Sequence, residues 1–240
     1  MPVHVVAHRT CPLDAPENSI AGIRKAAELG ADGVEIDVRR TLEGTPVLMH
    51  DWSPRRTTGL PGPTWLYPYA VLRCPSLQEE GAREGEHVPK LADALDALPA
   101  PLFMAVEVKE TAAAASTRRL IQERKLEERA LVWSYQERVV RYFAKWAPEV
   151  EAALLRDDTD PEGLTRFLDD AVRFGARAIS PHWAAITPQF VGEAHDRGLR
   201  VFSMNRDLES VSKKVAAGLD GVVTDHPREV RAILANGAGP

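Results

Sequence analysis

The chain has 240 residues, a formal net charge of −5 and no Lys/Arg-rich block, so it lacks the basic footprint of a nucleic-acid binder. A hydrophobic share of 44% is too high for a disordered chain, and the length fits one α/β barrel, a fold that runs to roughly 200–250 residues. Cys11 and Cys74 form neither a disulfide framework nor a CxxC pair, the N-terminus lacks a signal-peptide pattern, and no apolar run reaches the ~18 residues of a membrane span. The expectation is two free thiols, no stable membrane anchor and a cytoplasmic location.

The first strand is predicted over Val3 to Arg9 and ends in His8-Arg9. Ile20, Ile23, Ala26 and Ala27 then recur at helical spacing before Gly30, a helix stop. The second strand, Gly33 to Arg39, carries Glu35 and Asp37 two apart, hence on one face, with Val34, Ile36 and Val38 on the other. A short apolar run, Val47-Leu48-Met49, leads into His50-Asp51. From about 51 to 88 the periodicity fails and Pro, Gly and Arg cluster with Trp52, Trp65, Tyr67 and Tyr69. This reads as an insertion after the second strand, of the kind that builds active sites in barrels. Trp65, Tyr67 and Tyr69 either line a pocket for a leaving alcohol or pack the insertion on the barrel, with packing preferred.

The third strand, Leu102 to Lys109, repeats the two-residue spacing with Glu107 and Lys109. Further strands are expected at Ala130 to Ser134, Glu151 to Leu155, Arg177 to Ser180, Arg200 to Asn205 and Gly221 to Thr224, with Gly175, Gly198 and Gly218 marking helix ends between them. Eight strands alternating with helices predict an α/β fold, a (β/α)₈ TIM-like barrel formed as a single domain over residues 1–240; an open doubly wound sheet is the alternative.

The chemistry-bearing residues fall at the ends of the first three strands, where a barrel displays its catalytic groups. Glu35 and Asp37 on one strand face repel each other unless a cation lies between them, and a buried carboxylate such as Glu107 is costly unless paired or bound to metal. Three carboxylates without Cys or paired His describe a hard oxygen site, suited to Mg²⁺ or Ca²⁺. Lys109 is either a plain bridge to Glu107 or, with Arg9, a partner for phosphate oxygens; Arg9 has the alternative of a salt bridge to Glu35 or Glu17. A free histidine side chain titrates near neutrality, so the pair His8 and His50 can supply a proton donor and a proton acceptor for displacement at phosphorus.

His8-Arg9, Pro16-Glu17-Asn18-Ser19, Gly30-Ala31-Asp32-Gly33-Val34-Glu35-Ile36-Asp37-Val38 and Pro46-Val47-Leu48-Met49-His50-Asp51 together resemble the glycerophosphodiester phosphodiesterase family. Arg56-Thr57-Thr58-Gly59, Val88-Pro89-Lys90-Leu91, Glu107-Val108-Lys109, Met204-Asn205 and Gly218 to Pro227 extend the resemblance over nearly the whole chain. It implies a TIM-like barrel with an extra segment after the second strand, and metal-dependent hydrolysis of a small glycerophosphodiester to glycerol 3-phosphate and an alcohol. It also implies a cyclic phosphate formed by the glycerol hydroxyl next to the phosphate. The same resemblance assigns Glu35, Asp37 and Glu107 to the metal, His8 and His50 to acid/base catalysis, and Arg9 and Lys109 to the phosphate.

Two departures stand out. Thr10 replaces the glycine usual after His-Arg, and Phe202-Ser203-Met204-Asn205 replaces a Trp-Thr-Val-Asn-like strand, removing an aromatic that faces substrate in the family. Asn18 is the expected N-cap of the first helix. Trp183, taken as ending the sixth strand, offers apolar contact to substrate or else packs against the insertion. A lysophospholipase D-like activity and a non-catalytic phosphate-ester binder are the alternative functions. Oligomeric state is left open.

Overall fold

The protein, seen here in a computed structural model, is described over residues 3–77 and 86–237. Eight parallel strands close on themselves: β1 (His4–Ala7), β2 (Gly33–Arg40), β4 (Phe103–Val108), β5 (Ala130–Ser134), β6 (Glu151–Arg156), β7 (Ala178–Pro181), β8 (Arg200–Met204) and β9 (Gly221–Thr224). β1 pairs with β9 on one side and with β2 on the other, which closes the barrel and excludes the open sheet.

Alternation along each strand sorts the side chains into two layers. Val6, Ala105, Leu131, Trp133, Ala153, Leu155, Phe202 and Val223 fill the barrel interior. Val5, Val34, Ile36, Val106, Val132 and Val222 belong to the outer core, shared with the helices. Each fully buried large apolar side chain contributes roughly 1.5–3 kcal/mol of transfer free energy. Helix α1 (Ile20–Glu28) and the helices Pro161–Phe174 and Pro188–Asp196 are among those covering the barrel, and the glycines read as stops, Gly30, Gly175, Gly198 and Gly218, all adopt positive φ.

The ninth strand, β3 (Pro46–Leu48), pairs antiparallel with the outer end of β2, Val38 opposite Leu48 and Arg40 opposite Pro46. Three residues are too short for alternation to show, which is why the sequence reveals only an apolar run here. Among its described residues the insertion carries the short helices α2 (Arg55–Thr58) and α3 (Tyr69–Leu72), and residues 78–85 of it lie outside the described residues. Val47, Met49, Leu72, Leu77 and Val88 form its own small core, with Tyr67 and Tyr69 packed against it. Among the described residues no helix is long and apolar enough to cross a membrane.

Candidate active site

At the C-terminal rim the inward-facing positions change from apolar to polar. On β2 and β4 these positions carry Glu35, Asp37 and Glu107, and one carboxylate oxygen from each lies within 4.8 Å of the others. Lys109, just past the end of β4, sets its ammonium between two of them, 2.7 Å from Asp37 Oδ1 and 2.6 Å from Glu107 Oε1. The plain Glu107–Lys109 bridge is therefore part of a larger cluster. Asp37 is held further by Asn18, whose side-chain amide donates to Oδ2 at 2.8 Å while its carbonyl accepts the Asp37 backbone N–H at 2.9 Å.

Asn18 is thus a strut for Asp37 and not a helix cap; Ser19 is the N-cap of α1 and accepts the Gly22 N–H at 2.9 Å. Arg9 also departs from the expected strand. β1 ends at Ala7, and Arg9, Thr10 and Cys11 follow with φ of 43°, 66° and 79°. This left-handed run turns the Arg9 backbone N–H onto Glu35 Oε2 at 2.9 Å and sends its guanidinium to Glu17 at 3.2 Å, with Nε 3.7 Å from Asp37.

The electrostatics of the three carboxylates differ. Burial, then the negative charges of Asp37 and Glu107, raise Glu35 well above the usual carboxylate range. Burial also raises Glu107 against the pull of Lys109. Burial acts on Asp37 too, but Lys109, His50 and Asn18 outweigh it and lower its pKa. Glu35 Oε1 is buried with no hydrogen-bond partner among the described residues, and Lys109 and Arg9 sit against Asp37 and Glu107 and leave that oxygen uncompensated. An all-oxygen donor set with an orphaned buried oxygen fits a hard divalent cation.

Two histidines border the same cavity of about 220 Å³, together with Arg9, Glu35, Glu107 and Lys109. His8 Nδ1 lies 2.7 Å from Asp225 Oδ1 and His50 Nδ1 lies 2.8 Å from Asp51 Oδ1. A carboxylate accepts, so each ring carries its proton on Nδ1 when neutral and keeps Nε2 for proton exchange. β3 brings His50 to the rim: Met49 N–H donates to the Asp37 carbonyl at 2.9 Å, and Arg39 holds the His50 carbonyl at 3.0 Å. Arg56 of the insertion joins Asp51, at 2.7 Å, to Glu17, at 2.6 Å.

Asp51, Asp225 and Arg56 are supports that the sequence reading leaves without a role, whereas Glu17 is the salt-bridge partner it offered for Arg9. Asp225 follows β9 as His8 follows β1, so the rule that singles out strand ends also reaches it. Two other expectations are corrected. Trp183 does not line the cavity: it is 4% exposed in the layer between strands and helices, with its indole N–H on Ser210 Oγ at 2.9 Å. It starts a turn after β7, and its ring faces the helical layer. Ser203 points outward as well and donates to the Pro181 carbonyl at 2.9 Å, so its side chain does not line the cavity. Trp133, Tyr135, Met204 and Arg206 line that side of the cavity.

A closed barrel whose rim carries an acidic triad, two carboxylate-anchored histidines and the cations Arg9 and Lys109 is the architecture of a phosphodiester hydrolase of the α/β-barrel class. Residues 8–229 match the model of the glycerophosphoryl diester phosphodiesterase family, and the chain belongs to that family. It is 29% identical to a glycerophosphodiester phosphodiesterase of Caldanaerobacter subterraneus subsp. tengcongensis, with 97% of this chain and 98% of that one covered. A 56-residue stretch is 55% identical to glycerophosphodiester phosphodiesterase 1 of Rattus norvegicus, covering 23% of this chain and 17% of the relative. Among solved structures, an Oleispira antarctica phosphodiesterase in complex with the product sn-glycerol-3-phosphate superposes with a TM-score of 0.84 at 23% identity, covering 98% and 97% of the two chains.

Proposed function

We propose that the enzyme hydrolyses glycerophosphodiesters to glycerol 3-phosphate and an alcohol, with Glu35, Asp37 and Glu107 holding Mg²⁺ or Ca²⁺ and with His8 and His50 as acid and base. The observation that carries this reading is the pair of histidines, each anchored at Nδ1 by its own carboxylate, beside an acidic triad with an unpartnered oxygen. When bound, the cation supplies positive charge to the phosphate oxygens in the transition state. Arg9 and Lys109 add their own charge on those oxygens and orient the ester. One histidine Nε2 takes the proton of the attacking hydroxyl, and the other donates to the departing alkoxide; the roles reverse when water opens the cyclic phosphate.

The test is a glycerol 3-phosphate release assay. Chelation is expected to abolish activity and Mg²⁺ or Ca²⁺ to restore it, and His8→Ala or His50→Ala is expected to lower kcat by at least ~10²-fold with the fold intact. Full activity in chelator, or in either variant, refutes the assignment.

A second reading, cleavage of lysophospholipids, is favoured by one observation. Trp52 is 59% and Trp65 41% exposed on the insertion next to His50, and the Thr64 N–H on the Trp52 carbonyl holds their segments together. An apolar rim of this kind suits a lipid aggregate. Faster turnover of a micellar lysolipid than of glycerophosphocholine decides for it; the reverse order excludes it.

A further inference from the structure

The cavity has two unlike sides. The ends of β1, β2 and β4 supply the histidines, the acidic triad and Lys109, while the opposite arc, from β5 to β8, supplies Tyr135, Leu155, Ser180, Met204 and Arg206. Cations on the first side are engaged: Lys109 with Asp37 and Glu107, Arg9 with Glu17. Arg206 differs. It follows β8 by two residues, is exposed at the mouth, and makes no hydrogen bond or ion pair with another described residue. Nothing in the fold accounts for a cation there, since an exposed arginine in no network adds nothing to stability.

From this, and resting on the function proposed above, we infer that Arg206 reads the alcohol moiety of the substrate and selects moieties that carry a carboxylate or phosphate over those that carry a quaternary ammonium. A phosphate seated between the histidines and the triad leaves one ester substituent to cross to the β5–β8 arc. The departing alcohol is the substituent that must reach the mouth, where Arg206 stands. A guanidinium offers such a group a bidentate pair. It repels a trimethylammonium in the same place.

The neighbourhood supports the assignment. The Tyr135 hydroxyl lies 3.4 Å from Asp157 and close enough to Arg206 to feel its charge. Burial, then Asp157 and Glu107, push the phenol upward, so it stays a neutral hydrogen-bond group beside the guanidinium. Leu155 and Met204 supply apolar wall between the phosphate end and the mouth. That wall fits a short carbon linker between phosphate and charge.

The experiment compares kcat/KM of the Mg²⁺- or Ca²⁺-supplied full chain on four esters. They are the glycerophosphodiester of glycolate (carboxylate), glycerophosphoinositol phosphate (phosphate), glycerophosphoglycerol (uncharged) and glycerophosphocholine (cation). The wild type is expected to favour at least one of the two anionic head groups over choline by about tenfold, a margin that narrows as salt is raised. Arg206→Ala is expected to bring the ratio near unity, Arg206→Glu to invert it, and both to leave glycerophosphoglycerol within about twofold, because no charge is read there. Whichever anionic ester loses more in Arg206→Ala identifies the group read. A wild-type ratio near unity, or one that Arg206→Ala leaves unchanged, overturns the inference alone, provided glycerophosphoglycerol is hydrolysed. Failure to hydrolyse any of the four overturns the proposed function and this inference with it.

Discussion

Glu35→Gln separates the stability of the fold from the fitness of the site. In the cation-free protein Glu35 is buried, faces two other carboxylates, and leaves Oε1 without a partner. A glutamine keeps the acceptor for the Arg9 N–H and turns an NH₂ group toward the remaining carboxylates, replacing repulsion by a hydrogen bond to a charged group worth roughly 1.5–3 kcal/mol. For a chain of this size each kcal/mol moves Tm by roughly 2–4 °C, so the variant is expected to melt about 3–12 °C above wild type in chelator.

With Mg²⁺ or Ca²⁺ at a hundred times Kd, wild type gains about 2.7 kcal/mol by mass action. The variant, having lost a carboxylate ligand, gains much less, and the order of the two melting curves is expected to reverse. The advantage in chelator also depends on pH. Glu35 is raised in the fold, so above the ordinary carboxylate value near ~4.3 the unfolded chain releases a proton that the folded one retains. Wild-type stability from this group falls as pH rises through that window, and the variant's margin grows. Scanning calorimetry at several pH values, with and without cation, measures all of this. A variant less stable than wild type in chelator, or one that gains equally from cation, refutes the picture of a site held under charge repulsion for an ion.

Asp225→Asn keeps the size of the group on His8 Nδ1 but removes its charge. Steady-state assays are expected to show a 10–100-fold loss of kcat with little change in melting temperature, as is typical of groups that orient a reacting residue; an unchanged kcat refutes the role. Trp183→Ala is expected to cost roughly 3–5 kcal/mol of stability, read by urea unfolding, because a buried ring and its bond to Ser210 are lost. Its KM at low temperature is expected to match wild type, and a selective rise in KM would return Trp183 to the substrate pocket.

The sequence made the positions of the chemistry legible and left its supports obscure, for a physical reason. Alternation along a strand fixes which residues share a face, so Glu35 with Asp37, and Glu107 with Lys109, are readable from spacing alone. Eight strand patterns with glycine stops are readable in the same way. Contacts made after a strand ends are not. The left-handed run from Arg9 to Cys11 and the three-residue β3 that delivers His50 depend on tertiary partners. So does the turn that buries Trp183. Asn18 looks like a cap because short polar side chains cap helices; its φ of 54° and its two bonds to Asp37 give it another task.

Thr10 is where local preference and site geometry conflict most, and Gly22 is the residue that permits the conflict. A Cβ on Gly22 would stand 2.2 Å from Thr10 Oγ1 and 2.3 Å from the Thr10 carbonyl oxygen. The first turn of α1 and the strained loop are therefore wedged against each other, with the Ser19 N–H donating to Thr10 Oγ1 at 3.2 Å. In an open helix Gly→Ala stabilises by up to ~1 kcal/mol. Here the added methyl meets backbone, and forced repacking of that kind costs roughly 1–3 kcal/mol, so Gly22→Ala is expected to lower Tm by about 2–12 °C. The loop that must yield carries the Arg9 N–H that holds Glu35, so the Tm gain on adding cation is expected to shrink as well. Adding Thr10→Gly to that variant removes the Oγ1 and Cβ contacts but not the carbonyl one, so recovery is expected to be partial. A Gly22→Ala protein that melts at or above wild type and keeps the full response to cation would show that the loop is not wedged, and that Thr10 is tolerated for some other reason.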